Sequence, residues 1–104
     1  MHYVALFFAG AFLCNTVPHL VAGLMGLPFP SPFAKPPGEG DTAPPINLLW
    51  GAANLAIGLY LLSLRPPPFS PGVETATLGA GALIMGLMLA RHFGGVQRRK
   101  ASRG

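Results

Sequence analysis

Three long apolar runs, Tyr3 to Leu27, Ile46 to Leu64 and Val73 to Phe93, limit what this chain can become, because charged residues occur in them only near the ends. At 1.5 Å rise per residue, roughly 19 to 25 residues make helices about 28 to 37 Å long, against a hydrocarbon core of about 30 Å. Each run can therefore span a bilayer. Composition points the same way: 10% of the 104 residues are charged and 51% are hydrophobic, where an ordinary soluble domain carries roughly a quarter charged residues. The expected fold is all-α, an integral membrane three-helix bundle. Its helices are predicted at about 3–27, 46–64 and 73–93, with a Pro-rich loop over 28–45. Residues 1–94 form the transmembrane domain and 95–104 a basic tail. The first run is expected to remain as a span, since no Lys or Arg precedes it and it is about twice the 7 to 15 residues of a secretory signal core.

The residues between the runs are helix breakers. Seven prolines (Pro28, Pro30, Pro32, Pro36, Pro37, Pro44, Pro45) and Gly38 and Gly40 fall between positions 28 and 45, so the first helix must stop near Leu27. Asp41 and Thr42 offer capping side chains ahead of Pro44, and Ser70-Pro71 does the same for the third helix, with Glu74 near its positive dipole end. Arg65-Pro66-Pro67-Pro68 closes the second. Phe29 and Phe33 flank Pro30-Ser31-Pro32, which makes the loop either a lid over the bundle, a docking surface or a stiff solvated linker.

Seven Lys and Arg against three Asp and Glu leave a formal charge of +4. Five of those bases (Arg91, Arg98, Arg99, Lys100, Arg103) lie in the last 14 positions. The high isoelectric point thus belongs to a tail and implies no nucleic-acid partner. The positive-inside rule places that tail in the cytoplasm of a cell (inner) membrane protein, with Lys35 on the same side and Arg65 outside. Near an anionic leaflet, Arg98-Arg99-Lys100 would also gain about 1 kcal/mol per base. The lone Cys14 packs as a small hydrophobe.

Helices in lipid associate through small residues that let backbones approach and through polar groups that find partners. On the second helix Asn47, Gly51, Asn54 and Gly58 fall within an arc of about 60° at 100° per residue, and Thr75, Gly79, Ala82 and Gly86 repeat the spacing on the third. Ala11, Asn15, Pro18 and Ala22 repeat it on the first, with His19 alongside. Gly51, Gly58, Gly79, Ala82 and Gly86 are read as helix-packing positions on faces that pack on one another. Pro18 removes the bond to Cys14 and widens the space beside His19.

Amides and imidazoles in hydrocarbon must be paired or wet, since an unpaired one costs several kcal/mol. Antiparallel geometry sets Asn15 opposite Asn54 and His19 near Trp50, so Asn15, His19, Asn47, Trp50 and Asn54 form the candidate polar cluster. It acts either as interhelical glue or as a binding site for a small ligand or proton. No residue set supports a metal or a cofactor: a single intramembrane histidine has no second ligand, and no nucleophile–base pair or phosphate loop argues for an enzyme. Two functions fit. One is an accessory, assembly or interaction subunit that partners a second copy or a larger membrane protein through small-residue faces. The other is an oligomeric carrier or transporter component using the Asn/His cluster.

Overall fold

The computed structural model describes residues 2–64, 66–68 and 70–103. The fold is all-α with three helices, α1 (His2–Leu24), α2 (Pro44–Leu64) and α3 (Val73–Arg103), each long and apolar enough to cross a membrane. Two two-residue strands, β1 (Phe29–Pro30) and β2 (Asp41–Thr42), pair antiparallel between α1 and α2, with Phe29 opposite Thr42 and Pro30 opposite Asp41.

α1 stops three residues before the predicted Leu27. Gly26 adopts φ +70°, Leu27 N–H donates to Ala22 O at 2.9 Å and Gly26 N–H to Gly23 O at 3.2 Å. This is the Schellman ending that a glycine just past the last helical residue favours. α2 begins two residues earlier than expected. Pro44 and Pro45 occupy its first two positions, where the missing N–H groups are no loss, and the Ala43 carbonyl accepts from Ile46 and Asn47 at 3.1 Å each. With two fewer N–H groups to satisfy, a capping side chain is unnecessary, and Asp41 and Thr42 serve the strand pair instead. At the start of α3 the Gly72 carbonyl takes the first helical bond, from Ala76, while Thr75 Oγ1 donates back to the Ser70 carbonyl at 2.8 Å. Arg65, expected to close α2, lies outside the described residues.

α3 runs past the predicted end at Phe93 as far as Arg103. Gly94-Gly95 does not break it, and the basic segment is a continuation of the helix by about 15 Å at 1.5 Å per residue. Arg99 pairs with Glu39 at 2.8 Å, and Lys100 with Asp41, so the helical extension lies against the loop.

α1 is the centre of the packing. α2 lies antiparallel on one face of it and α3 parallel on another, whereas α2 and α3 scarcely touch. The three expected faces therefore do not all meet. Against α1, a Cβ added to Gly51 would stand 2.7 Å from Leu20 N and one added to Gly58 would stand 2.8 Å from Leu13 Cδ2. The backbone contact at Gly51 requires glycine, while at Gly58 the Leu13 side chain would have to shift. The α3 stripe is displaced from the expected one. Gly79 faces open space, and the close approach falls on Gly81, whose added Cβ would land on the Phe7 carbonyl oxygen. Gly10 reciprocates, meeting Leu78 O and, at 2.9 Å, Ala82 N. Gly86 is a looser contact, 3.4 Å from Cys14 Sγ. The contact line on α3 runs through Leu78, Gly81, Ala82 and Gly86, so the expected row 75-79-82-86 meets α1 at Ala82 and Gly86 but not at Gly79.

Candidate functional site

α1 presents Asn15 and His19, and α2 presents Asn47, Trp50 and Asn54, at matching depth because Leu13 lies beside Gly58 and Leu20 beside Gly51. The glycines bring the backbones close enough for short polar side chains to bridge them. Asn15 Nδ2 donates to Asn54 Oδ1 at 2.9 Å, and Asn54 Nδ2 donates to the Trp50 carbonyl at 2.8 Å, one turn back on its own helix. Asn47 and Asn54 are fully buried and His19 is 2% exposed.

Asn47 sets the chemistry of His19. Its Nδ2 donates to the Phe29 carbonyl at 2.6 Å, which turns its Oδ1 toward His19 Nδ1, 2.8 Å away. An amide oxygen only accepts, so Nδ1 carries the hydrogen and, in the neutral ring, Nε2 keeps a free lone pair. The loop thus reaches the histidine through one amide. Rings of Phe29, Phe93 and Trp50 surround the imidazole at centroid distances of 5.7, 6.0 and 6.3 Å.

The Pro-rich loop folds back over this cluster. Ser31 and Thr42 share a hydroxyl hydrogen bond of 2.6 Å across the strand pair, and both are buried. Phe33, though 62% exposed, stands edge-on to Trp50 at 5.4 Å. His92 Nε2 donates to the Gly38 carbonyl at 2.7 Å, and Gly38 adopts φ +73° to turn that carbonyl over. Of the three arrangements open to this segment, a lid matches its placement.

Between lid and helices lies a cavity of about 170 Å³ lined by Asn15, His19, Ser31, Trp50, His92 and Phe93. At about 30 Å³ per molecule it has room for a handful of waters or one small organic molecule. One of its wall residues carries a buried polar atom that the protein does not satisfy. Among the described residues, Trp50 Nε1 is the one buried side-chain donor without a partner; Asn15 Oδ1 and His19 Nε2 also receive no hydrogen bond, but neither atom is buried. The arrangement offers one donor and two acceptors to an occupant. Among the described residues no three His, Cys, Asp or Glu come together as a metal site.

The five residues singled out from the sequence thus converge at one place. Ser31, His92 and Phe93 were not singled out. Phe93 was within reach, since Gly86, Leu89 and Phe93 are spaced along one face of α3. Ser31 and His92 depend on how the loop folds back, which no periodicity encodes. No family model, curated protein or solved structure matches the chain.

Proposed function

We propose that this protein binds one small, neutral, hydrogen-bonding molecule in the loop-capped pocket, as a carrier or as the binding unit of an oligomeric transporter. The observation that carries this reading is the buried, unpartnered indole N–H of Trp50, a residue of the pocket wall. Within hydrocarbon an unpaired indole N–H costs several kcal/mol, so Trp50 calls for an occupant that accepts a hydrogen bond, and Asn15 Oδ1 and His19 Nε2 remain free to take one or two from the same occupant. Three helices enclose no path across a bilayer, so transport requires several copies.

Protein purified in mild detergent from its native membranes is expected to retain such a compound, detected by mass spectrometry after denaturation. Trp50→Phe, which removes the donor and keeps the aromatic ring, should lose it. A wild-type protein that retains nothing beyond lipid and detergent would count against the pocket as a binding site.

A second reading, an accessory or assembly subunit, is favoured by one observation: Gly79 faces open space on an α3 that α2 does not cover. Its partner would be a second copy or a larger membrane protein. Against it, Gly51, Gly58 and Gly81 are already committed to contacts with α1. Mild-detergent sizing separates the two, since a stoichiometric complex with a larger protein favours the accessory role.

The proposed orientation puts the basic end of α3 in the cytoplasm, following the Lys/Arg bias. A cysteine at Ser102, which is exposed, should resist an impermeant thiol reagent in intact cells and react once they are permeabilised. Labelling in intact cells would reverse the orientation.

A further inference from the structure

We infer that the cleft between the loop and the last turns of α3 binds the phosphate of an anionic membrane lipid. This cleft, of about 660 Å³, is separate from the polar pocket and is lined by Lys35, Glu39, Asp41, Arg99, Lys100 and Arg103. Four cations face two carboxylates there. Glu39 and Asp41 are each taken by one partner, Arg99 and Lys100. Lys35 and Arg103 have no carboxylate partner among the described residues, although they come from segments 68 positions apart. Two uncompensated positive charges therefore converge on one space.

An anion fits that excess. The guanidinium of Arg103 suits a phosphate because its fork offers paired donors, while Lys35 supplies a point charge on the opposite wall. Exposed ion pairs are weak, so Arg99 and Lys100 can turn part of their donor set toward the same phosphate. Location identifies the source. The cleft lies just beyond the last apolar residues of the α3 span, at the level where hydrocarbon gives way to headgroups. On an adjacent face of α3, an apolar groove of about 480 Å³ runs past Cys14, Pro18, Gly86, Ala90 and Phe93 up to Gln97, so lipid chains meet the bundle directly below the bases.

The test uses the full-length protein in mild detergent, presented with equal amounts of phosphatidylglycerol and phosphatidylcholine and read by native mass spectrometry. Wild type is expected to retain phosphatidylglycerol in preference by roughly tenfold. The double variant Lys35→Gln/Arg103→Gln should lose that preference. Arg91→Gln/Arg98→Gln removes the same charge from residues outside the cleft and should leave it unchanged. Equal loss in both doubles, or no preference in wild type, would overturn the site and leave only net charge. Displacement of the lipid by millimolar inorganic phosphate would overturn the lipid as ligand and assign the cleft to soluble phosphate.

Discussion

Gly81→Leu is expected to unfold the bundle well below the wild-type melting temperature in detergent, with a loss of about 3 kcal/mol or more from overpacking. The collision is between backbones: an added Cβ would land on the Phe7 carbonyl oxygen, and α1 cannot retreat without also releasing the Gly10 contact at Leu78 and Ala82. Gly86→Leu should cost less, because the neighbour there is the Cys14 side chain at 3.4 Å. Gly79→Leu should shift stability by no more than about 0.5 kcal/mol, as surface changes usually do. If Gly79→Leu destabilises as strongly as Gly81→Leu, the face of α3 that packs on α1 has been misassigned.

Asn47→Leu is expected to cost about 2 to 6 kcal/mol, because it orphans two buried groups at roughly 1 to 3 kcal/mol each. His19 Nδ1–H loses its acceptor and the Phe29 carbonyl loses its donor. The lid should loosen with it, raising hydrogen exchange at Phe33 and Gly38, whose amides bond within the loop. Asn54→Leu removes a single interhelical bond and should cost nearer 1 to 2 kcal/mol. His19→Gln keeps an N–H for Asn47 and should fold within about 1 kcal/mol of wild type, while deleting the lone pair at Nε2. Folding and binding are therefore separable at this residue: a His19→Gln protein that folds and still retains its small molecule at full occupancy would remove the imidazole from the binding reading.

How far these residues could be placed from sequence depends on what kind of information placed them. Helix existence followed from apolar run length, since each run matches the bilayer and is bounded by proline. The Asn15–Asn54 bond followed from depth alone, because antiparallel helices of similar length put their midpoints level. Boundaries were less legible. Gly26 ended α1 through a left-handed turn that the apolar run to Leu27 concealed, and the α3 helix continued through Gly94-Gly95 to a Val96 that is buried against the rest of the fold. The α3 face was legible at Ala82 and Gly86 but not at Gly81, because Gly79 and Gly81 are equally small and only the close approach of Phe7 separates them. His92 and Ser31 enter the site through loop geometry, and a Pro-rich segment carries no period from which that geometry can be read.

The pocket is tested most directly at Trp50, which is the only tryptophan in the chain and so contributes a single indole N–H signal to the proton–nitrogen spectrum of ¹⁵N-labelled protein in lipid nanodiscs. If the pocket admits small polar molecules, that proton exchanges with solvent deuterium and its resonance shifts saturably with small neutral probes such as acetamide and ethanediol. His19→Gln should weaken that response. An indole proton that stays protected from exchange, together with a resonance that no probe moves, would mean a sealed seam whose polar groups only hold the helices together.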